Sequence, residues 1–167
     1  KLDYPVVHTP ANPEYYLRRA FDGSYAISGT PFVGAGCTVD SKNLMIYGHR
    51  MNNDTMFTVL LDYADKAFWE EHREIQFDTV DRLQNYEIFS AFYIDIPPED
   101  DPNAFYWYYY SGDISAEDFD YYVNQVKSLS YYDTGVEVAA DDKLLTLTTC
   151  AYNSEERRFV VVAKLKK

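Results

Sequence analysis

The C-terminal end of the chain constrains its fold most. Leu144–Thr149 reads LLTLTT and Phe159–Leu165 reads FVVVAKL, with one short polar loop between them. Valine and threonine are stiff at Cβ and suit a pleated sheet better than a helix. The two runs therefore predict the last two strands of a sheet, close enough in sequence to lie side by side. Tyr86–Ile96 is a longer run of the same kind that stops at Pro97-Pro98. Shorter runs at Thr30–Val33, Leu44–Tyr47, Glu74–Phe77 and Val80–Leu83 sit among turn formers such as Gly34, Gly36 and Asp40-Ser41-Lys42-Asn43. Many short strands with a few helices between them predict a mainly β domain, a barrel or sandwich with helical decoration.

Three helical segments interrupt the strands. Asn12-Pro13-Glu14 has a capping residue, a proline suited to the first turn and an acid that favours the helix dipole. That helix would turn Tyr16, Leu17 and Ala20 inward and stop near Asp22-Gly23. Residues 1–11 ahead of it read as a loose leader, and 12–28 as an N-terminal helical part. Asp54–Arg73 has Met56, Val59, Leu60 and Tyr63 at helical spacing, with Phe68–His72 as a second piece. Ser115 and Asp118 form a capping box, and the helix after them would bury Phe119, Tyr122, Val123, Val126 and Leu129. Asp133-Thr134-Gly135 reads as a turn. Without an internal repeat or a linker, the 167 residues read as one domain, 1–167.

A net charge of −12 argues against non-specific nucleic-acid binding, which needs clustered Lys and Arg, and against direct attachment to anionic lipid. The 17 Tyr and 10 Phe can fill a core or line a groove for an extended peptide. The sequence contains no apolar run near the ~20 residues of a membrane span and no visible signal peptide.

Chemistry enters at the strand ends. On a strand from Leu145, side chains alternate, so Thr146, Thr148 and Cys150 share one face and Leu145, Leu147 and Thr149 the other. Cys150 thus closes a row that holds two hydroxyls. A lone cysteine is most often a small buried hydrophobe. Cys37, in VGAGCTVD, is read that way, as a bystander, although counting alone leaves a Cys37–Cys150 bridge open. Arg158 sets Cys150 apart. If its strand pairs with the Cys150 strand, the guanidinium comes near the thiol, where it favours thiolate and can donate to an oxyanion. Arg157 is the rival on the opposite face, and the bland alternative is that both arginines offset Glu155 and Glu156. Of the three histidines, His8 lies in the leader and His72 in the charged helix end FWEEHRE. His49 closes the apolar run LMIYG and so also stands at a strand end. Cys150, His49 and Arg158 together suggest nucleophile, acid–base group and cation. The sequence shows no metal-ligand spacing and no phosphate-cradling glycine loop, and no metal or cofactor is expected.

These elements resemble one family. TLTTC at 146–150 fits the sortase signature Thr-Leu-any-Thr-Cys, YGHRM at 47–51 resembles the sortase histidine segment, and RRFVVVAKL resembles the arginine strand. The order His, Cys, Arg is that of sortases; papain-like proteases place Cys before His. DTGVEV, the helix before it and YYLRRAFDGSYAISGTPF look most like class B, so the resemblance covers nearly the whole chain.

The resemblance implies an eight-stranded β-barrel with an N-terminal helical part and a long helix before the penultimate strand. It implies a cysteine transpeptidase without cofactor, monomeric, on the outer face of a Gram-positive membrane and held by an N-terminal anchor not in this sequence. Such an enzyme cleaves a sorting signal of the kind Asn-Pro-any-Thr-any after Thr and joins the acyl group to an amine of a peptidoglycan precursor or a pilin. Cys150 would be the nucleophile. His49 would protonate the leaving amine and deprotonate the incoming one, and Arg158 would hold substrate and oxyanion. The backbone N–H of Ala151 would be a second oxyanion donor, with Thr148 and Thr149 as substrate contacts. Some class B members carry an acid two positions after the cysteine, where this chain has Tyr152. A sortase-like peptide-binding module and a plain cysteine hydrolase are the alternatives.

Overall fold

The computed structural model describes residues 2–150 and 157–167. Its frame is one sheet of six strands: β1 Phe32–Val33, β2 Asn43–His49, β3 Glu74–Gln76, β4 Asn85–Asp95, β5 Leu144–Cys150 and β6 Arg157–Leu165. Their spatial order is β1-β2-β5-β6-β4-β3. As the C-terminal runs predict, β5 and β6 pair antiparallel, from Leu144↔Lys164 to Thr148↔Val160. β2 lies on the other side of β5 and runs parallel to it, from Asn43↔Leu144 to His49↔Cys150. A parallel pair needs a long crossover, and all of the chain between β2 and β5 supplies it. Leu144–Thr149 and Phe159–Ala163 are buried on both faces, which is why they read as continuous apolar and threonine runs.

Each face of the sheet has its own cover. A 3₁₀ helix, Phe57–Ala64, buries Phe57, Leu60 and Tyr63. It lies on the face to which Gly48 belongs, since a Cβ on Gly48 would stand 2.6 Å from the Phe57 ring. α1, Lys66–Glu71, follows it, with the Asp65 side chain capping its first turn and ending the 3₁₀ piece. Trp69 of α1 is buried and donates its indole N–H to the Ile88 carbonyl at 3.1 Å. The opposite face is covered by α2, Ala116–Leu129, through Phe119, Tyr122, Val123 and Val126. Two bonds tie α2 down: Tyr122 Oη to Thr146 Oγ1 at 2.8 Å, and Ser90 Oγ to the Val126 carbonyl at 2.6 Å. Ser115 caps α2 by accepting from the Asp118 N–H at 3.1 Å. The Asp118 carboxylate accepts from the Ser115 hydroxyl at 2.7 Å.

Several expectations are corrected. The class is mainly β with few helices, but the described residues hold six strands, not eight. The N-terminal helix is only a 3₁₀ stretch, Pro13–Arg18, with no fully buried residue and no side-chain cap from Asn12. Its carbonyls are taken by the chain that doubles back after Gly23. Thr30 N–H binds the Tyr16 carbonyl, Ala26 N–H the Arg18 carbonyl, and the Thr30 hydroxyl the Arg19 carbonyl. A helix cannot propagate once its acceptors are spent elsewhere. The leader is pinned at Val7, whose N–H binds the Pro31 carbonyl and whose carbonyl accepts from Val33, each at 2.9 Å. Val80–Leu83 is the tip of the β3–β4 hairpin, not a strand, with Val80 and Leu83 exposed. There Asp78 accepts from Gln84 N–H, so turn chemistry overrides β propensity. Leu129 is exposed at the end of α2.

Candidate active site

β2 and β5 finish together. Their parallel register makes His49 and Cys150 Cα partners on adjacent strands, although they lie far apart in sequence. The last β5–β6 pair is Thr148↔Val160. Carried two residues further, the same antiparallel count sets Arg158 across from Cys150. The three residues singled out at strand ends thus converge on one end of three neighbouring strands. Cys150 is described here through its backbone alone. Its side chain, the Ala151 N–H expected as an oxyanion donor, and Tyr152 lie outside the described residues.

His49 is 4% exposed, and its surroundings define its state. The Leu17 carbonyl lies 2.7 Å from Nε2. A carbonyl only accepts, so in the neutral ring the proton sits on Nε2 and Nδ1 keeps its lone pair. Nδ1 is buried without a hydrogen-bond partner among the described residues. Burial pushes the His49 pKa down; the Leu17 bond opposes this, while the charges of Arg18 and Arg158 add to it. These causes favour the neutral ring, and the Arg158 charge acts in the same direction as burial.

Arg158 is half-buried, and its Nη1 donates to the Arg157 carbonyl at 3.2 Å. Arg157 is engaged outside this cluster. It pairs with Asp95 at 3.4 Å and lies over the Tyr93 ring at 4.6 Å. Thr148 is a register partner of both Tyr47 and Val160, so it stands on the His49 side of the sheet. Its hydroxyl is fully buried with no partner among the described residues. Thr149 lies on the opposite face, paired with Gly48, and its oxygen accepts from Phe159 N–H at 2.8 Å.

The other candidates lie elsewhere. His72 stacks on Phe68 at 4.2 Å and borders a cavity of about 680 Å³, formed with Leu2, Leu60, Tyr63 and Leu147. Cys37 is a buried free thiol between the Asn43 carbonyl and the Met45 N–H, and burial pushes its pKa up. Among the described residues, none form a His, Cys, Asp and Glu cluster that could hold a metal ion.

Residues 1–166 match the sortase domain family from end to end. The chain belongs to the sortase family. Within it the likeness is to class B. Sortase B of Staphylococcus aureus is 30% identical over 177 residues, which covers 99% of this chain and 66% of that protein. This sortase thus spans just under two thirds of that relative's length. A solved Staphylococcus aureus sortase B–substrate complex superposes with a TM-score of 0.84 at 30% identity, covering 98% of this chain and 74% of the other. A sortase B complexed with triglycine gives 0.83 at 30% identity, with 98% and 74% covered.

Sequence reasoning missed the sortase's Leu17 carbonyl and Arg18. A carbonyl has no side-chain signature. The one available clue was Ser28-Gly29-Thr30, a tight glycine turn close after the YYLRR segment that it folds back upon.

Proposed function

We propose that the domain is a cysteine transpeptidase of the sorting-signal type, with Cys150 as nucleophile, His49 as acid–base group and Arg158 as the cation that holds substrate and oxyanion. The observation that carries this reading is the register pairing of His49 with Cys150 beside Arg158. The substrate is an Asn-Pro-any-Thr-any signal. The Cys150 proton passes to Nδ1 of the neutral His49, and sulfur attacks the threonine carbonyl. The tetrahedral oxyanion is met by Arg158 and by the Ala151 N–H. As the C–N bond breaks, His49 returns the proton to the leaving amine, and a thioester remains on Cys150. An incoming amine attacks the thioester, loses its proton to His49 and leaves as a new amide, and the thiol is restored. Thr148, with its buried and unpartnered hydroxyl, is the better of the two threonines for a peptide contact. The substrate and triglycine complexes of the related sortases B support a peptide donor and an amine acceptor. The acceptor here would be an amine of a wall precursor or pilin, at the outer face of a Gram-positive membrane.

The test is an intact mass spectrum of the reduced protein mixed with Asn-Pro-any-Thr-any peptides. An adduct equal in mass to the acyl fragment, absent from Cys150→Ala, is the expected result, and triglycine should release it as a new amide. Peptide that binds wild type without any cleavage would instead favour the binding module. Cleavage with no amine incorporation at high triglycine would favour the hydrolase.

A further inference from the structure

The proposed chemistry needs more than a histidine near a cysteine. It needs one particular nitrogen of His49 to hold the lone pair. What selects that nitrogen is the Leu17 carbonyl, bound at 2.7 Å to Nε2. Leu17 itself belongs to no strand of the sheet. It sits on the short Pro13–Arg18 3₁₀ stretch, which buries no residue fully and has no side-chain cap. Such a short element does not fix its own position.

The segment that follows holds it in place. After the Gly23 turn the chain runs back along the stretch: Arg19 and Tyr25 form an isolated bridge, and Ala26 N–H reaches the Arg18 carbonyl at 3.1 Å. The Arg18 guanidinium closes the loop on the Ile27 carbonyl at 2.7 Å. Gly29 then passes directly against the carbonyls of Tyr16 and Leu17. Its φ is +59°, and a Cβ there would stand 2.5 Å from the Leu17 oxygen and 2.8 Å from the Tyr16 oxygen. Real Cβ atoms do not approach backbone oxygens so closely. Thr30, the next residue, binds the Tyr16 carbonyl through N–H at 3.1 Å and the Arg19 carbonyl through its hydroxyl at 2.9 Å.

We propose that Gly29 is a positioning residue for catalysis: its missing side chain lets the 26–30 strap press Leu17 into place, so that the Leu17 carbonyl orients the His49 ring and leaves Nδ1 as the proton-transferring atom. This rests on the acid–base role given to His49 above. Leu17 acts through its backbone, in the place that an orienting carboxylate takes in other histidine-dependent sites.

Gly23 supplies the control. It has φ +85° in the same segment, yet a Cβ on it meets nothing within 4 Å. Gly23→Ala therefore carries similar backbone strain without touching the carbonyl. The experiment compares wild type, Gly29→Ala and Gly23→Ala by long-range ¹H–¹⁵N spectra of ¹⁵N-histidine protein and by kinetics on the signal peptide. Wild type should show His49 as the Nε2–H tautomer. Gly29→Ala should show a mixed or inverted tautomer and a kcat lowered on the order of 100-fold, the scale of a misplaced catalytic group, with KM within about twofold. Gly23→Ala should keep the wild-type tautomer and kcat. Wild-type His49 as the Nδ1–H tautomer would overturn the proposal even if Gly29→Ala fails to fold. So would an unchanged tautomer and kcat in Gly29→Ala. If wild type forms no acyl adduct with any peptide, the transpeptidase reading fails. The tautomer spectra still decide whether the strap orients His49.

Discussion

A buried polar chain between α2 and the sheet can be tested by a double-mutant cycle. Thr146 Oγ1 donates its single proton to Asn43 Oδ1 at 2.8 Å, so the Tyr122 hydroxyl, 2.8 Å away, must be the donor to Thr146. Asn43 in turn donates from Nδ2 to the Tyr110 carbonyl at 2.7 Å. Tyr122, Thr146 and Asn43 are all 0% exposed, so water cannot replace a lost partner. Tyr122→Phe removes one bond and leaves Thr146 its donor role, at a cost of about 1 kcal/mol. Thr146→Val leaves two groups without partners, the Tyr122 O–H and Asn43 Oδ1, at about 3 kcal/mol. Adding Tyr122→Phe to Thr146→Val removes one of these orphans, so the double variant should lose only about 2 kcal/mol, against about 4 if the effects simply summed. Urea titrations at one pH give the cycle, provided the m-values agree. Additivity within ~0.5 kcal/mol would refute the inferred donor order and with it this account of how α2 is fastened.

Three other outcomes follow from the site. His49 titrates near 6.5 in the unfolded chain and lower in the folded one, because of burial and the charges of Arg18 and Arg158. Above pH ~6.5 both states are neutral and its contribution is fully present. As pH falls below that value the unfolded chain takes the proton first, and stability drops by up to ~1.4 kcal/mol per pH unit until the folded ring titrates. His49→Gln should lack this component, so its urea midpoint should fall less than wild type between pH 7.5 and 5.5; parallel losses would contradict a buried neutral ring. Arg158→Ala should lower kcat/KM on the signal peptide by a factor on the order of 10² or more, whereas Arg157→Ala, which loses an exposed pair with Asp95, should stay within about threefold; equal losses would undo the assignment. Gly48→Ala would drive a methyl into the buried Phe57 ring, 2.6 Å from its Cγ, and should cost about 1–3 kcal/mol by thermal or urea unfolding, with an unchanged midpoint counting against the packing described.

Local pattern carried much of this structure. The β5–β6 pair, the cap and apolar stripe of α2, and the break between the Phe57–Ala64 helix and α1 follow from residue type and spacing, because each depends on neighbours within a few positions. Cys150, His49 and Arg158 stood out as candidates for the same reason: each is a chemically distinctive side chain at one end of an apolar run. Where local signals conflicted, the tertiary structure chose. Pro13–Arg18 stays one short 3₁₀ stretch because Ala26 and Thr30 take its carbonyls, and Val80–Leu83 forms a hairpin tip because Asp78 bonds across it. Alternation separated Thr148 from Thr149 in advance, but only packing showed that Thr149 is used by Phe159 N–H. The parallel register that sets His49 beside Cys150 was beyond sequence, since period-2 alternation gives a strand its faces and not its partner. The Leu17 carbonyl at His49 was beyond it altogether: every residue has a carbonyl, and only the folded chain decides which one a buried imidazole meets.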